Sequence, residues 1–184
     1  MCGSIPFGVL IARMKGVNLQ ASGSGNIGAS NAARTLGKKL GVLVLLGDTL
    51  KAYLPLVIAK RIFRAQPELD WILVSVAFAA FLGHIYSPWL RFKGGKGVAT
   101  GFGVFLALSP WVALAAAIVW AILYFLTHTA SVGSLAAATA LVPTLAILRS
   151  PRSYLYCGAA MYVLILWRHR ANILRLVHRE ENKV

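Results

Sequence analysis

The chain has 184 residues, of which 58% are hydrophobic and only 13% charged, and its mean hydropathy is +0.71. So little polar surface cannot clothe a water-soluble globule of this size, which excludes a soluble domain and points to an all-α, polytopic integral membrane protein. Lys and Arg number 19 against 5 Asp and Glu, a net charge of +14; this suits anionic lipid and anionic substrates, whereas basic residues in short clusters without interleaved aromatics speak against nucleic acid.

A helix that crosses the hydrocarbon core needs about 20 apolar residues. Charge, Pro and Gly divide the apolar sequence into seven candidate transmembrane segments, at 1–12, 40–59, 71–90, 97–108, 111–127, 132–148 and 154–167. The first is too short to span. It lacks the charged n-region of a cleavable signal peptide, and its shortness leads to the expectation of a first helix truncated at its N-terminal end. Segment 97–108 is also short and opens directly from a glycine-rich loop, an arrangement that aims a helix N-terminus at whatever the loop binds. If the segments alternate sides, 13 of the 19 basic residues share one side and 5 the other, with Lys51 inside the second segment. The positive-inside rule then puts the N-terminus outside and both glycine loops and the C-terminus in the cytoplasm. No linker, internal repeat or low-complexity stretch interrupts the chain, so residues 1–184 are expected to form one domain.

Two glycine-rich, basic segments stand out: Ser22-Gly-Ser-Gly-Asn-Ile-Gly-Ala-Ser-Asn31 and Phe92-Lys-Gly-Gly-Lys-Gly-Val-Ala-Thr100. Glycine lets backbone N–H groups converge on an anion, and adjacent Lys or Arg adds charge. The first segment formally matches GxGxxG, but its acid at dinucleotide spacing, Asp48, lies inside an apolar run, so the dinucleotide reading fails. Gly23, Ser24, Gly25, Asn26, Ser30, Asn31 and Arg34 make it a candidate anion-binding loop; the plainer alternative is a flexible tether. Lys93-Gly94-Gly95-Lys96 is not a Walker A loop. A juxtamembrane basic turn would explain its lysines but not its glycines; close backbone approach to phosphate would explain both.

Asp48 and Lys51, three apart on one helix face, can pair as part of a site or as a structural ion pair. His84 lies near a membrane end and could act as base or orient a hydroxyl, or simply pack. Ser131 and Ser134 fall at a turn where capping is the plain role, and Arg168-His169-Arg170 with Asn172 would ordinarily be a positive-inside stop signal. Cys2 and Cys157 belong to no CxxC or Cys/His cluster, so neither a disulfide framework nor a zinc site is supported; no cofactor or metal is expected.

In the same order along the chain, Gly3-Ser-Ile-Pro-Phe-Gly8, the first loop with Arg34 and Gly37, Asp48-Thr-Leu-Lys51, Gly83-His84 with Pro88, and the second loop resemble the signatures of the bacterial membrane glycerol-3-phosphate acyltransferases that draw on acyl phosphate. Ser131-Val-Gly-Ser134 and Trp167-Arg-His-Arg170 with Asn172 are similar to the later ones. The resemblance implies a seven-helix fold in the bacterial inner membrane with a cytoplasmic site. It implies transfer of a fatty acyl group to the 1-hydroxyl of sn-glycerol 3-phosphate, giving lysophosphatidic acid and inorganic phosphate in phospholipid synthesis, and coupling to an enzyme that makes acyl phosphate. Ser24, Arg34, Lys93, His169 and Asn172 would hold glycerol 3-phosphate; Ser30, Gly94, Gly95, Ser131 and the first loop's backbone would hold the acyl-phosphate head, with Lys96 adding charge to either. No acyl-serine is expected, and a substrate phosphate is expected to take the hydroxyl proton; a protein base, if used, would be His84 or His169. The HxxxxD pair of soluble-domain acyltransferases is absent, since Trp89 stands five after His84. The chain departs from the family in its short start and in Ser30, where Thr is usual. A transporter or a non-catalytic binding protein for small phosphate esters is the rival, though the only charges within a segment are Asp48 and Lys51 and no repeat appears.

Overall fold

The computed structural model describes residues 1–183. Among them are nine α-helices and no strand: α1 Phe7–Met14, α2 Ala29–Leu36, α3 Lys38–Ile62, α4 Leu69–Ile85, α5 Val98–Leu108, α6 Pro110–Thr127, α7 Ala130–Ile147, α8 Arg152–Arg168 and α9 Arg170–Val177. Four spans are long and apolar enough to cross a membrane: α3, α4 with the short turn that extends it to Leu90, α6 and α7. Leu43, Leu46, Leu50, Leu54 and Ile58 leave the outer face of α3 exposed and apolar, a surface suited to lipid rather than water.

The expected segments 40–59, 71–90, 97–108, 111–127, 132–148 and 154–167 each hold one of these helices. Segment 1–12 does not form one continuous helix. Pro6 cannot donate a backbone hydrogen bond, and the run divides into a 3-10 turn at Cys2–Ser4 and the helix α1. The turn is wedged against α4: a Cβ on Gly3 would strike the backbone of Ala80, and one on Gly83 would lie 3.0 Å from the Ser4 nitrogen. Two short polar helices, α2 and α9, lie in stretches expected to be loop or stop signal.

Two apolar clusters position the loops. The main core joins α3 to α8 through Leu56, Phe81, Val104, Leu145 and Met161. A smaller one, Ala12, Leu19, Ala32 and Val44, clamps α1 and α2 onto α3, so the first glycine loop is braced at both ends.

Candidate active site

The first loop is organised by one buried side chain. Asn31, 1% exposed, donates through Nδ2 to the carbonyls of Leu19 (3.3 Å), Ser22 (3.0 Å) and Asn26 (2.8 Å), while its Oδ1 accepts from the Ser24 N–H (2.9 Å). Its hydrogen-bonding capacity is spent on the loop's own backbone. Gly23 and Gly25, at φ +58 and +70, allow the turn that closes around it. Arg34, one turn beyond Asn31 on α2, reaches back to donate to the Ser24 hydroxyl at 3.4 Å.

The second loop is built differently from the anion nest that its glycines suggest. The N–H groups of Gly94 and Gly95 donate to the carbonyls of Ile85 (3.0 Å) and His84 (3.1 Å). Their own carbonyls accept from Arg168, at 2.6 Å to Nη2 and 3.0 Å to Nε. Glycine is required because the loop lies directly over His84: a Cβ on Gly95 would collide with the imidazole Nε2, and one on Gly94 with the His84 carbonyl. The expectation that these two N–H groups face an anion is therefore corrected. The loop instead fixes Lys96, and Gly97, at φ +90, turns the chain into α5.

Beneath the loop sits a buried charge cluster. Lys51 Nζ donates to Asp48 Oδ1 (2.7 Å), to the Ile5 carbonyl (2.8 Å) and to His84 Nδ1 (2.8 Å). An ammonium only donates, so Nδ1 of His84 is the acceptor and the imidazole proton resides on Nε2. His169 is set the opposite way. Its Nδ1 lies 2.8 Å from the Ile165 carbonyl, which can only accept, so Nδ1 carries the proton and Nε2 keeps its lone pair. Burial, with Lys96 nearby, pushes His169 down to about 4.

These elements enclose a cavity of about 450 Å³. Asn26, Ser30, Arg34 and Lys96 line it from the two loops and α2, and His84, Ser131, Ser134, His169 and Asn172 from α4 and α7 to α9. Gly23, Ser24, Gly25, Asn31, Lys93, Gly94 and Gly95 are not part of its wall; Ser24 and Lys93 are solvent-exposed. Lys96 donates to Asn172 Oδ1, and burial pushes its ammonium down to about 8 even though Glu181 is close. Three contributors were not among the expected site residues. Arg168 holds the second loop, Glu181 enters from the segment after α9, and Arg175 of α9 holds Glu181 from outside the wall. Arg168 was visible in sequence only as a positive-inside residue; nothing in the spacing of Arg175 and Glu181 marks them.

A second, apolar groove of about 220 Å³ continues from the first. The two share Leu45, Val98, Ala99, Trp120 and Ser134. Small residues, Ala113, Ala116 and Ala117 of α6 facing Ala137 and Ala138 of α7, leave the groove open. The arrangement joins a basic, polar chamber to an apolar channel inside a helical bundle, which fits a ligand with a charged head and a long apolar tail.

The family model described as glycerol-3-phosphate acyltransferase matches residues 1–179. The glycerol-3-phosphate acyltransferase of Anaeromyxobacter sp. (strain K) is 48% identical over 186 residues, spanning 100% of this chain and 92% of that protein. That of Myxococcus xanthus (strain DK1622) is 48% identical over 184 residues, spanning 100% and 94%. Among solved structures, the crystal structure of PlsY (YgiH), an integral membrane glycerol 3-phosphate acyltransferase, in its glycerol 3-phosphate form superposes with a TM-score of 0.94 at 41% identity, covering 100% of this chain and 90% of the other. Its lysophosphatidic acid form gives 0.91 at the same identity and coverage.

Proposed function

Since the chain belongs to the glycerol-3-phosphate acyltransferase family and is an integral membrane acyltransferase, we propose that its donor is acyl phosphate and its product lysophosphatidic acid, acylated at the 1-hydroxyl of sn-glycerol 3-phosphate. Family membership sets aside the transporter and binding-protein readings. One observation carries the proposal: the polar chamber and the apolar groove meet along a common rim. An acyl phosphate laid across that rim has its phosphate among basic and hydroxyl groups and its chain among alanines.

Arg34, His169, Asn172 and Lys96 are the chamber's groups for glycerol 3-phosphate, and Ser30 and Ser131 for the acyl-phosphate head. Ser24 and Lys93 enter on resemblance alone, from exposed positions outside the wall. Gly94, Gly95 and Asn31 serve by holding the loops in shape, since their hydrogen-bonding groups are already paired.

In the reaction, the 1-hydroxyl oxygen bonds to the acyl carbonyl carbon, the carbon–oxygen bond to phosphate breaks, and the hydroxyl proton passes to a phosphate oxygen. A mixed anhydride is already activated, so placement and charge stabilisation carry the barrier. The proton's destination follows from comparing bases. Burial beside Lys96 holds His169 well below its ordinary value, and the Nδ1 lone pair of His84 is taken by Lys51, so neither imidazole is a good base. A substrate phosphate, with its several acceptor oxygens, is the remaining acceptor. The groups at the start of α5, Val98 and Ala99, lie on the rim, where first-turn N–H groups lack intrahelical partners and favour negative charge.

The distribution of Lys and Arg, 13 against 5 across the segments, supports a cytoplasmic site in the bacterial inner membrane, where a soluble enzyme could deliver acyl phosphate. The test is product formation by purified protein offered glycerol 3-phosphate with hexadecanoyl phosphate, hexadecanoyl-CoA or hexadecanoyl carrier protein in turn. Lysophosphatidic acid from acyl phosphate alone is expected; equal product from the thioesters would refute the donor assignment.

A further inference from the structure

His84 keeps one polar atom that nothing else in the chain uses. Its Nδ1 accepts from Lys51 Nζ at 2.8 Å, while Nε2, which carries the proton, has no hydrogen-bond partner among the described residues. The side chain is only 3% exposed. The sealed side-chain atoms that lack a partner among those residues are Thr100 Oγ1 and Ser153 Oγ. Nε2 is not one of them, so it opens on the chamber whose wall His84 helps to line. The second loop passes directly over this nitrogen, and glycine is what leaves it uncovered: a Cβ at position 95 would collide with it.

Lys51 decides which nitrogen holds the proton. An ammonium has three N–H bonds, and Lys51 Nζ has three acceptors: Asp48 Oδ1 at 2.7 Å, the Ile5 carbonyl at 2.8 Å and His84 Nδ1 at 2.8 Å. In the other tautomer an imidazole N–H would confront the ammonium, so that tautomer is shut out. Asp48 answers the charge of Lys51 within the bundle. Three side chains from α3 and α4 therefore hold one neutral N–H toward the chamber. A histidine that merely packs would have its second nitrogen paired or sealed. His84 lines the polar chamber and not the apolar groove, so the ligand that completes it is the phosphate end of a substrate rather than the acyl chain. A phosphate oxygen is a charged acceptor, and hydrogen bonds to charged acceptors are about twice as strong as neutral ones.

Resting on the proposed reaction for its substrates, we propose that His84 acts as a donor and not as a base: its neutral Nε2–H donates to a substrate phosphate oxygen. Lys51 and Asp48 are positioning residues that fix the tautomer making this possible. The phosphate can belong to glycerol 3-phosphate or to the acyl-phosphate head. Arg34 and Lys96 supply charge to the same chamber, and an uncharged N–H on a locked ring adds direction, which is what a preorganised donor contributes.

Long-range 1H–15N correlation spectra of the wild-type protein in detergent, labelled at its four histidines, provide the test. In the free protein the proton of His84, assigned by its loss in His84→Gln, should sit on Nε2, and that of His169 on Nδ1. A His84 proton on Nδ1 would overturn the proposal. Glycerol 3-phosphate, inorganic phosphate and hexadecylphosphonate, whose chain cannot be transferred, are then titrated separately. The His84 Nε2–H resonance should move downfield at saturation, and whichever of glycerol 3-phosphate and the phosphonate moves it identifies the source. Saturation that shifts other resonances and leaves this one in place would make His84 a packing residue. Movement with glycerol 3-phosphate or phosphate supports the proposal even in a preparation that forms no product from acyl phosphate. In turnover, His84→Phe keeps a ring without a donor and should lower kcat about a hundredfold, whereas His84→Gln, whose amide can place an N–H there, should stay within about tenfold of wild type. Equal loss in the two, or loss in neither, would overturn the donor role. In Lys51→Met the His84 proton should divide between the two nitrogens and kcat should fall with it; an unchanged tautomer and kcat would strike Lys51 from the positioning residues.

Discussion

Replacing Lys51 by Met should be among the most damaging single changes outside the chamber wall. The Lys51 and Asp48 side chains are 1% and 2% exposed, and Nζ is the hydrogen-bond partner of Asp48, the Ile5 carbonyl and His84 Nδ1 at once. Methionine nearly matches the volume, so little cavity forms. The loss is electrostatic, because the buried Asp48 carboxylate is left without a cation, its near neighbour His84 Nδ1, 3.7 Å away, being itself an acceptor. Breaking a buried pair from one side costs about 3–5 kcal/mol, which for a chain of this size lowers Tm by roughly 6–20 °C. Asp48→Asn removes the charge from the other side, and the double variant removes both. If the pair is the source of the cost, the double variant should be less damaged than the two singles summed, with a coupling of about 2 kcal/mol. Thermal unfolding of the four proteins in one detergent, followed by far-UV circular dichroism, measures it. Additivity within ~0.5 kcal/mol would refute the reasoning and leave Lys51 as a packing residue. The same cycle in kcat tests whether His84 needs Lys51 to keep its proton on Nε2.

Four further outcomes are expected. Asn31→Asp replaces three donated bonds with repulsion between a carboxylate and the carbonyls of Leu19, Ser22 and Asn26; at ~1 kcal/mol per lost bond the first loop should open, raising KM for glycerol 3-phosphate while helix content is kept. Gly95→Ala drives a methyl group into the buried His84 ring, so overpacking should cost ~1–3 kcal/mol of stability, read as a fall in Tm with activity lost in parallel. Lys96, held near 8, is charged below that value and neutral above it, so kcat/KM should fall as pH rises through about 8, and Lys96→Arg should move that limb upward. Between about 8 and the ordinary 10.5 the unfolded chain holds the extra proton, so stability should rise with pH across that window. Ala117→Phe in the apolar groove should expel two or three methylenes at ~0.8 kcal/mol each, weakening hexadecanoyl phosphate more than tenfold while octanoyl phosphate is affected less.

The long helices were legible because their signal is one-dimensional: an apolar run between charges requires no knowledge of neighbours. The same search passes over α2 and α9, since Asn31, Arg34, Arg170 and Arg175 break every run. Their helicity comes from one-sided burial, of Ala32 against α3 and of Asn172 against the chamber. At 1–12 the composition read as continuous helix, and Pro6 ended it. Arg34, Lys96, His169 and Asn172, singled out through pattern and resemblance, do line the chamber. The role of Gly94 and Gly95 was not legible, because an anion nest and a tight crossing over a side chain have the same sequence signature. Only the neighbour, His84, separates them. Glu181 was illegible for a stronger reason: its place depends on a left-handed residue, Arg179, that no propensity would select.

On the proposed reaction the chain needs no nucleophile of its own, and the geometry around its best-placed serine is consistent with that. Ser134 is the hydroxyl nearest in kind to an acyl-accepting serine, since it lines both chamber and groove. Its proton, however, is given to the Ala130 carbonyl at 2.7 Å, and its oxygen accepts from Trp120 Nε1 at 3.3 Å. No imidazole is among these partners, and the lone pair of His169 is too weakly basic to activate it. A donor that bridges head chamber and tail groove must place its carbonyl carbon at the shared rim, and an acceptor phosphate held by Arg34 and Asn172 reaches the same rim from the polar side. Two tethered substrates meeting at a fixed point gain effective concentration without a covalent intermediate. The basic surroundings then favour the dianion that leaves. On this account, Ser134→Ala should retain most of the wild-type kcat, whereas Arg34→Ala should lose at least a hundredfold in kcat/KM, about 2.7 kcal/mol of charge stabilisation; the reverse order in a steady-state assay with acyl phosphate would mean that the chain uses an acyl-serine after all.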